Sequence, residues 1–373
     1  MRGLNLQKLK YILDIGSSSL RLFSTIKLKK NAQIIASEDV LYDGFMDGEF
    51  LSPDKLTQEL SKLIDSLCSK LKRTIKEIIV GVPGDFSVCV CKRISRKFVE
   101  LHKFTDQDLA KIFEDNANFG DSLEYVPIHC STMQCTLDGN EKCVSPVNKK
   151  SSSVVLDVSY ILVKKSFVKT IQDCLTSLGI QKVDFISTPL AQAIMCQKQE
   201  NATRPIILVD CGHISTNVFV IKGEGLALLS SFSMGGGHIS SDIMQILGLT
   251  FKQAELIKRK AVLTVESAKN DNYELCVSGD QIKAPINMTN QIIKSRIELI
   301  AKVVKNILSI DTMFNNLELY ITGDGVANYK GAKMIFEEVT GHKTKEFKVP
   351  FDNSFDKYQT SKTGLASFAE MVI

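Results

Sequence analysis

Hydrophobic and polar positions alternate along the chain in a pattern that predicts short buried strands separated by glycine-rich loops. The most prominent apolar run covers residues 206–209 and ends at Asp210. Apolar runs at 218–221 and 226–232 follow it, and the Lys-Gly-Glu-Gly turn between them is typical of a β-hairpin. Three glycines at 235–237 then lead into a segment with helical spacing. The sequence therefore predicts a strand, a loop, a hairpin and a glycine-rich helix start in succession.

A second copy of this arrangement opens the chain. The apolar run at 11–13 ends at Asp14, and a strand pattern resumes at residues 20–26. A carboxylate at the end of a buried strand needs a charged partner, and turns with free N–H groups bind anions. The loop residues that offer such donors are Gly16, Ser17, Ser18 and Ser19 in the first copy and Gly212, His213 and Ser215 in the second. The two copies predict two halves that clamp one phosphate ligand.

A third glycine-rich loop has the same character. Residues 317–321 form a strand pattern that runs into a loop with Gly323, Gly325 and Val326, and a helical segment follows at 330–339. Glycine allows the backbone to pass close to a ligand because it has no Cβ. The pattern predicts a loop that closes over a nucleoside.

Helices and strands are predicted over most of the remaining chain. Ser52 followed by proline is typical of a helix start, and Thr105 is a second candidate N-cap with Asp108 in the first turn. Residues 149–153 are predicted to be a polar linker, and residues 263–286 a polar segment of irregular period. The other predicted helices are 166–178, 188–196, 239–247, 251–261 and 290–308, and the other predicted strands include 76–83, 86–94, 125–137, 154–163 and 180–186.

Composition excludes several classes of protein. With 373 residues the chain is long enough for two or three domains. Its 46 basic and 42 acidic residues leave a net charge of +4, which is too small to indicate nucleic-acid binding. Ten cysteines without an apolar leader indicate reduced thiols in a cytoplasmic protein, and no run approaches the ~20 apolar residues that span a bilayer. Cys89 and Cys91 lack a second pair at zinc-ligand spacing, so we expect no metal site there.

Taken together, the three loops resemble the actin/Hsp70/sugar-kinase ATPase superfamily, and within it the bacterial cell-division family FtsA. The resemblance runs from about residue 11 to residue 369. Pilus-assembly relatives share the Val-Pro-Gly strand and the two clamp loops, whereas residues 44–49 and 127–146 favour the division family. The further motifs that carry the resemblance are 44–49 (GFMDGE), 78–84 (IIVGVPG), 254–258 (AELIK), 296–299 (RIEL) and 363–366 (TGLA).

The resemblance implies an α/β fold. Two actin/Hsp70-like (RNase H-like) halves would surround a nucleotide cleft, and a small inserted α+β domain of the SHS2 type would interrupt the first half. The boundaries implied in this way are 1–80 for the start of the first half, 81–162 for the insert, 163–195 for the return to the first half, 196–345 for the second half with its outer subdomain, and 346–373 for a segment closing on the first half.

The resemblance also implies the cofactors, ATP and Mg²⁺, and a set of binding residues. Asp14 and Asp210 would reach the nucleotide-bound Mg²⁺ through water, because carboxylates and phosphates repel each other. The donors of both clamp loops would bind phosphate, with Gly235 and Gly236 near the sugar, Glu255 and Lys258 at the ribose and base, and Gly323, Gly325 and Val326 on adenine. Two alternatives remain open: Glu255 and Lys258 as an exposed ion pair, and His213 as a plain surface residue.

The chain departs from the family pattern at places that bear on hydrolysis. The second loop is usually richer in glycine and often carries a later Asp, but His213, Ile214 and Asn217 stand there. Hydrolysing members often have a Glu before the proline of the preceding helix, where this chain has Thr188. Threonine is a poor general base. We therefore assign no catalytic residue and expect ATP hydrolysis to be slow or absent, making the chain at most a weak ATPase.

As a member of the FtsA type, the chain is expected to be a scaffold that links FtsZ filaments to the division machinery. Its expected partners are the FtsZ C-terminal tail, further copies of itself in actin-like protofilaments, and other division proteins. Without the terminal amphipathic helix of that family, we expect recruitment to the inner face of the membrane at the division site, but no direct membrane anchor. The alternatives are a pilus-assembly adaptor and an active ATPase resembling a sugar kinase.

Overall fold

The computed structural model describes residues 9–28, 31–119, 124–200, 204–264, 268, 271–277, 280–347 and 371. Its strands are β1 (Lys10–Ile15), β2 (Ser19–Leu28), β3 (Asn31–Leu41), β4 (Phe45–Met46), β5 (Glu49–Phe50), β6 (Glu77–Val82), β7 (Ser87–Lys103), β8 (Tyr125–Leu137), β9 (Glu141–Cys143), β10 (Lys150–Lys164), β11 (Lys182–Ser187), β12 (Ile206–Cys211), β13 (Thr216–Lys222), β14 (Gly225–Phe232), β15 (Asn272–Val277), β16 (Asp280–Pro285), β17 (Leu319–Thr322) and β18 (Thr344–Glu346). Its helices are α1 (Pro53–Leu71), α2 (Asp106–Asp115), α3 (Lys165–Ser177), α4 (Thr188–Gln199), α5 (Gly236–Leu247), α6 (Phe251–Lys260), α7 (Ile286–Leu308) and α8 (Ala332–Thr340), with 3-10 turns at Gly84–Phe86 and Thr312–Phe314.

The chain divides into two compact units. Unit 1 comprises Met1–Ile206, Phe219–Ser230 and Gly364–Ile373, and unit 2 comprises Ile207–Val218 and Ser231–Thr363.

Unit 1 is built on a five-stranded sheet in the order β11-β6-β1-β2-β3. The first three strands pair antiparallel in sequence order, whereas β1, β6 and β11 run parallel. Helices α1 and α3 bury their apolar stripes on this sheet, and the shared core includes Leu13, Leu60, Val80 and Phe167. This topology brings the end of β1, where Asp14 lies, to the same edge as the end of the parallel strand β6.

The helix starts predicted from Ser52 and Thr105 are confirmed. Ser52 caps α1 by accepting a hydrogen bond from the backbone N–H of Lys55 at 3.3 Å. Thr105 and Asp108 form a reciprocal capping box at α2: the Thr105 hydroxyl accepts from the Asp108 N–H at 3.2 Å, and the Asp108 carboxylate accepts from the Thr105 N–H at 2.8 Å. These local signals fix where the two helices begin.

A four-stranded sheet in the order β7-β10-β8-β9 forms a separate layer within unit 1. Helix α2 packs on it, and the core between them includes Phe104, Ile112, Leu156 and Tyr160. The layer has no linker on either side: β10 ends at Lys164 and α3 begins at the next residue, while a single 3-10 turn joins β6 to β7. Phe86 of that turn lies in an aromatic cluster with Phe45, Phe50 and Phe167.

The segment 219–230 packs against this inserted sheet. The Ser159 hydroxyl donates to the Leu226 carbonyl at 2.7 Å, and the Glu224 N–H donates to the Thr132 carbonyl at 3.0 Å. A Cβ on Gly223 would lie 2.3 Å from the Met133 carbonyl oxygen, so this turn requires glycine.

The second five-stranded sheet has the order β14-β13-β12-β17-β18. Its strand order is equivalent to that of the first sheet. Three strands that are consecutive in sequence, β12, β13 and β14, lie side by side. Strands β17 and β18 extend the sheet beyond β12 and run parallel to it. In unit 2, a bidentate ion pair joins α5 to α7: Arg296 donates to both carboxylate oxygens of Asp242, at 2.6 and 2.7 Å. The α/β class and the repeated half predicted from the sequence are confirmed.

Several predicted boundaries differ from the structure. Residues 149–153, predicted to be a linker, belong to β10 from Lys150 onward, because they pair with the end of β7. The irregular segment 263–286 contains the hairpin β15/β16, and α7 begins at Ile286, four residues before its predicted start. The 363–366 motif and most of the segment 346–373, which is predicted to close on the first half, lie outside the described residues. Among the helices described here, none is long and apolar enough to span a membrane.

Candidate functional site

Two loops with the same turn lie at equivalent strand ends, one in each unit. In the first Asp-Gly loop (residues 14–19) the Gly16 N–H donates to the Ser19 carbonyl at 3.0 Å. In the second Asp-Gly loop (residues 210–215) the Gly212 N–H donates to the Ser215 carbonyl at 2.9 Å. A Cβ on either glycine would lie 3.0 or 3.1 Å from that serine oxygen, which is tighter than ordinary packing. Both loops are therefore closed in the same way, although only three of their six residue types agree.

Asp14, the second-last residue of β1, is a largely buried carboxylate, and its side chain is 13 % exposed. Arg21 on β2 approaches it, with Nη1 3.5 Å from Oδ2. Burial raises the pKa of Asp14, and the nearby Arg21 guanidinium only partly offsets that rise. Since a single long contact does not compensate for burial, this carboxylate has capacity for another cation.

Asp210, the second-last residue of β12, lies beside Thr322, its register partner at the end of the parallel strand β17. The ends of parallel strands meet at one edge of a sheet, which is where ligands bind in open α/β folds. Gly323 follows immediately with φ +89, and a Cβ there would lie 2.5 Å from Asp210 Oδ1. The turn after β17 is therefore packed directly against this carboxylate.

Three glycine-containing loops of unit 2 pack backbone against backbone. The Gly236 and Gly237 N–H groups at the start of α5 donate to the carbonyls of Gly212 (2.9 Å) and His213 (2.7 Å). The Gly325 N–H donates to the Cys211 carbonyl at 2.8 Å. The second Asp-Gly loop thus supplies the acceptors for both neighbouring loops.

The same glycines have no room for side chains. A Cβ on Gly325 would lie 2.3 Å from the Gly212 carbonyl oxygen, and one on Gly235 would lie 2.5 Å from that atom. A Cβ on Gly236 would lie 2.6 Å from Cα of Gly325. The structure therefore explains these glycines by loop packing. Because the N–H groups of Gly236 and Gly325 are already donated, their predicted ligand contacts would have to use other atoms.

Glu255 and Lys258 form a pair on α6 in which Lys258 is buried and Glu255 is partly buried, so the alternative of an exposed ion pair is wrong. Lys258 is 5 % exposed. Its Nζ donates to the Gly236 carbonyl at 2.8 Å and to Oε1 of Glu255. Burial alone would raise the pKa of Glu255, but the Lys258 ammonium and the Ser240 hydroxyl outweigh it and hold that pKa below its usual range. The pair ties α6 to the glycine-rich start of α5.

His213 lies partly buried in the second Asp-Gly loop and is not a plain surface residue. Its ring packs edge-on to Phe251 with the centroids 6.1 Å apart. Burial lowers the pKa of His213, so the imidazole is neutral at pH 7. A neutral imidazole beside the loop adds no positive charge for a phosphate.

Val326 is covered by protein, with 1 % of its surface exposed. A contact between this side chain and a base would need the loop to move, and it stays a prediction.

Sequence reasoning missed three polar residues among the glycine-containing loops and helices of unit 2. Ser240 on α5 is fully buried and donates to Oε1 of Glu255. Thr216 donates to the Met234 carbonyl at 2.6 Å and so holds the approach to the glycines. Tyr329 is buried, and its pKa is raised first by burial and then by the charges of Glu255 and Cys211. A common serine, threonine or tyrosine carries no sequence signal until the fold shows what it contacts.

The described residues offer little for acid–base or metal chemistry on their own. No group of three or more His, Cys, Asp or Glu side chains in the described part of the chain could hold a metal ion. Thr188, at the place of a possible general base, is the first residue of α4, after the N-cap Ser187. A hydrated Mg²⁺ brought by a phosphate ligand would need only one or two carboxylates and no full set of protein ligands.

Two protein-family models match the chain. The model for cell division protein FtsA matches residues 207–363. The model for type IV pilus assembly protein PilM matches residues 13–271, which is well over half of the chain.

Individual proteins are similar over most of their length. The cell division protein FtsA of Enterococcus faecalis is 22 % identical over 333 residues, which cover 88 % of this chain and 76 % of that protein. FtsA of Enterococcus hirae is also 22 % identical, over 337 residues with the same coverage.

Solved structures share the fold at low identity. A PilM–PilN type IV pilus biogenesis complex superposes with a TM-score of 0.63 and 15 % identity, covering 97 % of this chain and 96 % of that one. MreB5 of Spiroplasma citri, bound to AMPPNP, superposes with a TM-score of 0.58 and 10 % identity, covering 98 % and 95 %. The likeness extends over nearly the whole of each chain, so these proteins share one fold.

Proposed function

The chain belongs to the FtsA and PilM family of actin-like ATPases, and on that premise we propose that it is an ATP-binding cell-division scaffold. It binds ATP with Mg²⁺, associates with further copies of itself and with other division proteins, and hydrolyses ATP slowly or not at all. The observation that carries this proposal is the repeated turn in which Gly16 and Gly212, each two residues after an aspartate, close on a serine carbonyl. Its support from outside the chain is the similarity to FtsA proteins and the nucleotide bound to the MreB5 neighbour.

In this proposal each Asp-Gly loop has a separate task within its own unit. The Ser17–Ser19 segment and the His213–Ser215 segment bind phosphate oxygens through N–H and hydroxyl groups, as anion-binding turns do. Asp14 in unit 1 and Asp210 in unit 2 are each a candidate for a water-mediated contact with Mg²⁺. Glu255 and Lys258 contact the ribose and base. The cation supplied with the nucleotide would also offset the effect of burial, which raises the pKa of Asp14.

Slow hydrolysis is proposed from the side chain at the start of α4. General-base catalysis needs a group that can take a proton from water near neutral pH. Thr188 cannot do so, since a threonine hydroxyl does not act as a base at that pH. We therefore expect a rate of phosphate release far below that of kinases, which is typically about 1–100 per second.

The first test is binding of a fluorescent ATP analogue with and without Mg²⁺. We expect saturable binding by the natural chain in Mg²⁺ and at least about tenfold weaker binding by Asp210→Ala, which corresponds to about 1.4 kcal/mol. The variant Asp173→Ala, which removes an exposed carboxylate on α3, is the matched control and should bind like the natural chain. Saturable binding that does not depend on Mg²⁺ or on Asp210 would contradict the proposed metal role.

The partner we propose is the FtsZ C-terminal tail, and a specific observation favours a second candidate. The PilM model matches a longer part of the chain than the FtsA model, and a PilM–PilN complex is among the similar structures. A pilus-assembly adaptor is therefore the alternative. Titration with an FtsZ tail peptide and with a PilN peptide of equal length separates the two. Saturable binding of the FtsZ peptide alone supports the division scaffold, and binding of the PilN peptide alone supports the adaptor.

A further inference from the structure

Two cysteines face each other at one edge of the inserted sheet. Cys135 on β8 and Cys143 on β9 are register partners in an antiparallel pair. Residues directly opposite in such a pair have Cα atoms about 4.5–5.5 Å apart. Disulfides join Cα atoms that are about 4.4–6.8 Å apart. Because opposite residues also project to the same face of the sheet, the backbone holds the two thiols in position for a bond.

The side chains agree with this register. Both cysteines belong to the apolar core between the inserted sheet and α2, with Cys135 inside it and Cys143 packed against it. Both thiols are free in this structure. Burial, and then a hydrogen bond between the two thiols, raise the pKa of Cys135 to about 12. The sulfur atoms are therefore neighbours, and a bond between them does not require the strands to shift.

The two thiols differ in their access to solvent. Cys135 is 0 % exposed, whereas Cys143 is partly exposed at the last residue of β9. Lys149 lies beside Cys143: its pKa is raised first by the hydrogen bond to Glu141 and further by the Cys143 thiol. Reactive cysteines are partly exposed and lie near a cation. A small oxidant therefore reaches Cys143 first, and Cys135 is the thiol that can react with the product.

We propose that Cys135 and Cys143 form a reversible disulfide on exposure to hydrogen peroxide, so that the inserted sheet carries a peroxide-sensitive site. This inference is independent of the proposed nucleotide binding. It agrees with thiols that are reduced in the resting state, since disulfides in proteins with reduced thiols are usually transient and redox-sensing.

The reaction takes place in two steps. The Cys143 sulfur attacks one oxygen of the peroxide and becomes a sulfenic acid, while the O–O bond breaks and the other oxygen leaves as water with the thiol proton. The Cys135 sulfur then displaces the sulfenic hydroxyl, which leaves as water with the Cys135 proton. Two thiols and one peroxide thus give one disulfide and two waters. A dithiol reductant restores both thiols by exchange.

The disulfide would fix the end of a short edge strand. Strand β9 has three residues, and the turn before it is already held by Asp138, whose Oδ1 accepts from the N–H groups of Ser152 and Ser153, both at 3.0 Å. Cys143 is the residue at which the chain leaves the sheet. Oxidation therefore stiffens the strand at the end opposite to the turn.

The test is oxidation of the full chain with hydrogen peroxide, followed by blocking of the remaining thiols, trypsin digestion and mass spectrometry. Trypsin cleaves after Lys111, Lys142 and Lys149, so Cys135 falls in peptide 112–142 and Cys143 in peptide 143–149. We expect most of peptide 143–149 to be joined to 112–142, with a mass two hydrogens below their sum. Dithiothreitol should release it.

Peptide 112–142 also contains Cys130, which supplies the matched control. Cys130 lies on the same strand but opposite Tyr160 of β10, so Cys130→Ala should form the link as the natural chain does. Cys135→Ala should form none. Cys143→Ser should also form none, and it tests the pair at a partly exposed position where the substitution leaves the core intact.

The remaining outcomes would contradict the proposal. A link that persists in Cys135→Ala, or one that is lost in Cys130→Ala, would overturn the assigned partner. Recovery of peptide 143–149 with Cys143 as a sulfinic acid and without a link would overturn the disulfide itself. We also expect the backbone amides of residues 141–143 to exchange hydrogen more slowly in the oxidised chain. Equal exchange in the oxidised and reduced chains would overturn the stiffening of β9.

Discussion

Replacing Gly325 with alanine is expected to lower the free energy of unfolding by about 3 kcal/mol, because the new methyl group meets backbone on two sides. Its Cβ would lie 2.3 Å from the Gly212 carbonyl oxygen and 2.7 Å from that of Cys211. Neither atom belongs to a flexible side chain, so the two loops must separate. That separation would also break the 2.8 Å hydrogen bond from the Gly325 N–H to Cys211. Urea unfolding followed by circular dichroism measures the change.

Gly341→Ala is the matched control in the same unit. Gly341 caps α8 with φ +79, and a Cβ there meets nothing within 4 Å. Its only cost is the left-handed backbone conformation, about 1 kcal/mol. If the two variants lost equal stability, the packing of the glycine loops would not be the reason for Gly325.

Replacing Lys258 with methionine is expected to cost about 3 kcal/mol, because it leaves the Glu255 carboxylate partly buried without its cation. Methionine keeps most of the side-chain volume, so the loss reports the charge more than a cavity. Adding Glu255→Gln should restore much of the stability, since no uncompensated charge then remains. Lys252→Met, at an exposed position of the same helix, is the control and should change little. A double variant as unstable as the sum of the two single variants would contradict the pairing.

The stability difference between the natural chain and Lys258→Met is expected to depend on pH. In the natural chain the pKa of Glu255 is held below its usual range. The ionised Glu255 therefore stabilises the folded state at neutral pH, and this contribution is lost as pH falls through that pKa. In Lys258→Met the ammonium that most strongly lowers this pKa is removed, so the pKa of Glu255 rises. The stability gap between the two proteins should therefore narrow as pH falls, because a protonated Glu255 needs no cation. A gap that stayed constant from pH 7 to pH 4 would argue against the charge effect.

Local signals in the sequence were sufficient to predict much of the framework. Ser52 and Thr105 fall at the helix starts because an N-cap depends only on residues one turn away. The repeated Asp-x-Gly loops fall at matching strand ends because an apolar run that stops at an aspartate marks the end of a buried strand. The family match and the shared fold confirm the α/β architecture derived from these signals.

Other features could not be predicted because they depend on contacts between distant segments. Ser151 is fully buried, although the serine-rich segment around it resembles a linker, because β10 continues to pair with the end of β7 there. The buried state of Lys258 depends on Gly236, 22 positions away in sequence. Helical spacing alone fitted both an exposed and a buried pair. Ser240 became a candidate only when the fold placed it against Glu255.

The sheet β7-β10-β8-β9 is connected to the rest of unit 1 without flexible linkers, and this affects how it can transmit force. Lys164 ends β10 and Lys165 begins α3, so no flexible residue separates the strand from the helix. On the other side, Phe86 anchors the turn into β7 among aromatic rings, with its centroid 4.6 Å from that of Phe167 on α3. A rotation of the layer would have to bend β10 or pull Phe86 out of this cluster. A load applied to the far end of the layer is therefore expected to reach α3, the helix that covers the first sheet.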